Sequence, residues 1–194
     1  MKTTLKKLAC LTLALSLTLA ASGAMATQIT MSSSLWETRF QALLTYAAEG
    51  GMPLAENTDF TVTEFTPPGA PDGTIGYEHS LDLAGFMKVF YYDEGKDDLD
   101  ISVLTINLDH GGAPVELALM ALYFTILSVD TETTQEEFNA LMEALCPTFA
   151  EVFTGEERVN GMQAATLRGV GFAMEINDTE RFMKLYANVT LSPN

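Results

Sequence analysis

In the run NLDHGGAP, Asp109 and His110 stand side by side, followed at once by Gly111 and Gly112. An aspartate next to a histidine can orient an imidazole for proton transfer, and a glycine turn offers backbone N–H donors to a developing negative charge. A small hydrolase uses such chemistry, yet it also needs a nucleophile or a third group in reach, and the neighbouring sequence writes neither. The other histidine, His79, alternates with Ile75, Tyr77, Leu81 and Leu83 along one side of a strand-like run, which is the spacing of packing. Asp93, Glu94, Asp97, Asp98 and Asp100 crowd the run YYDEGKDDLD. These carboxylates could surround a Ca²⁺ ion, but their spacing is not that of an EF-hand loop, and a small acidic hairpin tip is more simply solvated. Cys146 reads as a small apolar residue on a helix face. The chain has no G-x-S-x-G, H-E-x-x-H or C-x-x-C and no glycine-rich phosphate loop, so no catalytic set, metal or cofactor is expected.

A contact surface is the stronger candidate. Phe-Met-Lys is written twice, in GFMKVFYYD (Gly85 to Asp93) and in RFMKLYANV (Arg181 to Val189). Strand alternation sets Met87, Val89 and Tyr91 on one side and Phe86, Lys88, Phe90 and Tyr92 on the other. In the second stretch Met183, Leu185, Ala187 and Val189 oppose Phe182, Lys184 and Tyr186. With lysine marking the solvent side, each stretch exposes an aromatic–Lys–aromatic row. Phe86, Lys88, Phe90, Phe182, Lys184 and Tyr186 are then the expected contacts for a protein or peptide partner. The competing reading is that these rings only cover one another across neighbouring strands.

The elements that must position these groups follow from periodicity. Trp36, Phe40, Leu43, Leu44 and Ala47 share one helical face, so a helix is expected from about 35 to 48, opened by a Ser34/Glu37 capping box and stopped by Gly50 and Gly51. Four strand-like runs follow: DFTVTEF, TIGYEHSLDL, GFMKVFYY and LDISVLTINLD. Pro114 then introduces a segment apolar nearly all round, expected to be a central buried helix over 114–129. A third helix starts at Thr133–Thr134 with Phe138, Leu141, Met142 and Leu145 as its stripe, is interrupted at Pro147 and restarts as far as Gly155. MQAATL, GVGFAMEIN and RFMKLYANVTL close the chain as strands.

Three similarities lie on nearly one diagonal. FQALL at Phe40 matches FNALM at Phe138, IGYEHSL at Ile75 matches VGFAMEI at Val170, and FMKVFY at Phe86 matches FMKLYA at Phe182, with offsets of 98, 95 and 96. The sequence therefore reads as a pseudo-repeat of a helix plus antiparallel strands, about 35–109 and 133–191, joined by the buried helix. The expected fold is α+β, a single domain over 27–194 with one curved antiparallel sheet of about seven strands, helices packed on one face and a pseudo-twofold axis. This layout resembles the tandem helix-plus-sheet architecture of the β-lactamase inhibitory proteins and, more distantly, the saddle of the TATA-binding protein. The resemblance is one of topology and carries no residues over.

Residues 1–26 read as a cleaved Sec-type signal peptide: Lys2, Lys6 and Lys7, an apolar run from Leu8 to Ala21, and Ala24-Met25-Ala26 at the cut. The apolar run is too short for a membrane span, so no stable insertion is expected after cleavage. Removing the leader's three lysines from 10 basic residues leaves 7 against 26 acidic ones, a net charge of −19. That field repels nucleic acid and anionic lipid; it suits a basic partner or plain solubility outside the cytoplasm. The expected protein is exported, periplasmic or secreted: a non-enzymatic binding module, inhibitor-like in kind, with a protein or peptide partner. Two alternatives stay open, a small hydrolase built on Asp109/His110 or His79, and an export chaperone or small apolar-ligand carrier lined by methionine.

Overall fold

The computed structural model describes residues 29–67, 74–93, 97–99 and 101–189. The expected signal peptide (1–26), the ends of the second pseudo-repeat beyond 189, and Glu94 and Asp100 of the acidic tip lie outside the described residues.

Helix α1 (Ser33–Glu49) buries Trp36, Phe40, Leu44 and Ala47, the stripe its periodicity sets out. Its N-cap, however, is Ser32, whose Oγ accepts from Leu35 N at 3.0 Å. The expected Ser34/Glu37 capping box does not form. Ser34 instead gives its backbone N–H and its hydroxyl to the Asp97 carboxylate, and Glu37 turns to Tyr91. The helix starts at Ser33, so Ser34 lies inside its first turn and not at the N-cap; there the Asp97 carboxylate takes its N–H and complements the helix dipole.

Seven strands follow the expected number: β1 (Thr61–Phe65), β2 (Gly76–Leu83), β3 (Met87–Asp93), β4 (Ser102–Asn107), β5 (Asn160–Leu167), β6 (Val170–Asn177) and β7 (Phe182–Val189). They form one sheet in the order β1-β2-β3-β4-β7-β6-β5, antiparallel at every step. Strand β4 is central, flanked by β3 on one side and β7 on the other. Three further helices, α2 (Val115–Val129), α3 (Gln135–Leu145) and α4 (Phe149–Thr154), join α1 over one face, where the principal core lies. The fold is α+β, as the alternation of the strands demands.

Because the strands run in sequence order from either edge toward β4, β2–β3 and β6–β7 occupy corresponding places. Their turns differ. Ala84 to Phe86 link β2 to β3, whereas Asp178 to Arg181 link β6 to β7, so Met87 pairs with Leu83 while Met183 pairs with Ile176. The sequence diagonal matches Ile176 with Leu81, two residues away. It likewise matches His79 with Met174, but pairing puts Met174 beside Leu185, the place Leu81 holds beside Val89. Strand pairing thus does not superpose two copies on the diagonal.

The central helix α2 is bounded almost as expected; Pro114 is its N-cap, one position outside the helix. No helix among the described residues is long and apolar enough to cross a membrane. Helix α3 opens on a complete capping box, with Thr134 Oγ1 accepting from Glu137 N at 3.2 Å and Glu137 Oε2 accepting from Thr134 N at 2.8 Å. Pro147 ends it, Cys146 being its buried C-cap, and Gly155 closes α4 in a left-handed conformation.

Candidate functional site

The doubled lysine row meets at β4. Thr105 pairs with Lys88 on β3 and with Lys184 on β7, so both lysines rise from the face away from the helices, one strand apart on either side. Their partners differ. Lys88 Nζ reaches Glu78 Oε1 at 2.9 Å, passing 6.0 Å from the Phe90 ring, with 42 % of its side chain exposed. Lys184 Nζ lies 4.2 Å from the centre of the Phe182 ring, and Glu175 is its cross-strand neighbour.

Two of the six expected contacts belong elsewhere. Phe86 is not a strand residue: it ends the three-residue turn and is only 9 % exposed, inside the principal core against His110 and Phe153. Once the turn takes Phe86, strand parity no longer governs which way its ring points. Tyr186 keeps the expected face but is only 2 % exposed, packed with Val103, Ala173 and Val189 while its hydroxyl donates to Glu175 Oε2 at 2.7 Å. Lys88, Phe90, Phe182 and Lys184 remain half-buried on that face.

Under the helices, Tyr91 donates to Glu37 Oε2 at 2.7 Å, His79 stacks on the Tyr91 ring at 4.6 Å, and its Nδ1 lies 3.6 Å from Glu37 Oε2. Burial, reinforced by the Glu37 carboxylate, pushes the Tyr91 phenol far above its ordinary value. His79 therefore packs between sheet and helix, the role its alternation implies. His110 is a staple. Ala113 N–H can only donate, so His110 Nδ1 accepts it at 3.0 Å, which leaves Nε2 carrying the proton it gives to the Phe153 carbonyl at 2.9 Å. The ring also stacks on Phe153 at 4.0 Å. Asp109 turns away to Arg181 Nε at 3.1 Å. The Asp–His pair is thus split, and the imidazole has no nitrogen available for proton transfer.

Asp97 of the acidic tip is committed to Ser33 and Ser34, whose bonds, the Ser34 backbone N–H foremost, hold its carboxyl below the usual aspartate range. Among the described residues no group of three His, Cys, Asp or Glu is arranged to hold a metal ion.

The helix layer contains what the sequence did not announce. Between the end of α1, the middle of α2, and helices α3 and α4 lies an open groove of about 950 Å³. It is lined by Leu119, Met120 and Tyr123 of α2, by Phe138 and Met142 of α3, and by Tyr46 and Met52 at and beyond the end of α1. Tyr46 is 75 % and Met52 53 % exposed, unusual for residues of this size at one spot. Glu49, Glu143 and Glu151 stand exposed on the rim, and no Lys, Arg or His among the described residues lines the groove. The buried Cys146 also lines it, its thiol pushed up to about 11 by burial and the nearby Glu157. Each helix announces its own stripe by periodicity, but the gap left between three stripes depends on helix separation, which no spacing encodes.

Compared with protein-family models, with curated proteins and with solved structures, the chain matches none of them.

Proposed function

We propose that the protein is an exported, non-enzymatic binding module and that its ligand site is the groove of the helix layer. The observation that carries this reading is the groove itself: a concave, mainly apolar space at the upper end of the size range of small-ligand sites, rimmed by a few polar groups. The sheet-face row supports binding less well, since Phe86 and Tyr186 are withdrawn from it. A hydrolase finds no support in His110, both of whose ring nitrogens are engaged. Export rests on the basic-then-apolar leader ending in Ala-Met-Ala. Inhibitor-like and carrier-like roles differ only in what occupies the groove.

Titration with the neutral apolar dye N-phenyl-1-naphthylamine tests the site. Saturable fluorescence enhancement is expected, lost in an N139W/A150W variant that fills the groove from two exposed lining positions, and kept in F90S/F182S on the sheet face. Binding that survives the filled groove would remove the proposal.

A further inference from the structure

The groove's electrostatics narrow its occupant, granted that it is the binding site. Three carboxylates, Glu49, Glu143 and Glu151, border it from three different helices or their ends, and no cation among the described residues offsets them there. The C-caps of α1 and α3, Gly50 and Cys146, line the groove together with the first residues of α3 and α4, Gln135 and Phe149, so the helix ends of opposite sign offset one another and the three carboxylates set the sign of the field. Apolar floor and negative rim together ask for a ligand with an apolar face flanked by positive charge.

We infer that the groove receives a short cationic amphipathic helix of another polypeptide. Its apolar residues at i, i+3 or i+4, and i+7 would span about 10 Å along one face and enter the lining of Met120, Tyr123, Phe138 and Met142, side chains that adapt to varied partners. Lysines or arginines bordering that face would meet Glu49, Glu143 and Glu151. Other occupants fit less well. A second copy of the chain would bring two strongly acidic proteins together. An anionic amphiphile such as a fatty acid would set its carboxylate against the rim. A neutral apolar ligand would fill the floor and leave the carboxylates without a role.

The test uses two labelled fourteen-residue peptides with leucine at helical spacing, one with lysine and one with glutamate at every polar position, read by fluorescence anisotropy against the purified protein. The lysine peptide should bind at least a hundred-fold more tightly than the glutamate peptide. Reversing the rim in E49K/E143K/E151K should weaken the lysine peptide at least ten-fold while dye binding persists. The control E56K/E64K/D98K alters net charge equally at exposed positions outside the groove, and should stay within three-fold of the parent. Dye binding without preference between the peptides would overturn the cationic occupant and leave the binding groove standing. Equal weakening in both triple variants would overturn it too, by assigning the affinity to overall charge. Absence of dye and peptide binding alike would sink the groove itself as the site.

Discussion

Tyr91 on β3 and Glu37 on α1 are joined by a 2.7 Å, part-buried hydrogen bond that fastens the first helix to the sheet. Trp36, one residue before Glu37, meets the same tyrosine ring edge-on at 5.4 Å, so packing and hydrogen bond hold the same contact. Removing the hydroxyl in Y91F should cost about 1–2 kcal/mol, because the bond is made to a carboxylate and the ring's packing is retained. Urea denaturation of parent and variant measures it; identical midpoints would show that the contact contributes nothing.

The same burial makes an alkaline prediction. Tyr91, Tyr92 and Tyr186 all have phenols raised above the ordinary value near 10, burial leading in each case. Folded pKa above unfolded pKa means the native state keeps protons that the unfolded state has released. This contribution to stability is complete below about pH 10 and is lost as pH rises further. Ultraviolet titration should show three tyrosines ionising only together with cooperative unfolding; independent reversible titration near pH 10 would contradict it.

At the acid end Asp97 and Glu137 work the other way. The Ser34 backbone N–H and the serine hydroxyls lower Asp97, and the Thr134 backbone N–H with Arg168 lowers Glu137. A depressed folded pKa gives stability that is present above the unfolded value and lost as pH falls through the folded one, so the loss belongs below about pH 4. Melting temperature should fall over that window in the parent and fall less in D97N/E137Q. Parallel curves would show that neither carboxylate is coupled to folding.

His110 should matter for stability and not for chemistry. H110A loses the bonds to Ala113 and Phe153 and the stacking on the Phe153 ring, a cost of about 2–3 kcal/mol. An unchanged unfolding midpoint would refute the staple.

Cys146, buried and with its thiol at about 11, should resist iodoacetamide at pH 8 in the native protein and be alkylated in guanidinium chloride, as peptide mapping of the Cys146 segment would show. Rapid native alkylation would mean that the groove's floor opens.

Much of the architecture is legible locally. Trp36, Phe40 and Leu44 declare a helix face by their spacing, and Lys88 and Lys184 mark one side of their strands because a period of two leaves no other choice. Thr134 and Glu137 make the capping box because both are near neighbours on the chain. Ser34 and Glu37 have the same spacing and fail, since the helix starts at Ser33 and leaves Ser34 inside its first turn, where Asp97, far away in sequence, takes its N–H while Tyr91 engages Glu37. Phe86 leaves the expected row for a similar reason: parity holds only inside a strand, and the length of the β2–β3 turn decides where that strand begins.

Acidic charge, seven alternating strands, a uniformly apolar central helix and the lack of catalytic motifs are properties of the chain as written, because composition and periodicity act over a few residues. Which carboxylate caps α1, whether Tyr186 meets water, how His110 spends its two nitrogens, and the groove over α2 were decided only when helices and sheet closed on one another. Those outcomes depend on distances between elements remote in sequence, and such distances are set by packing the whole core at once.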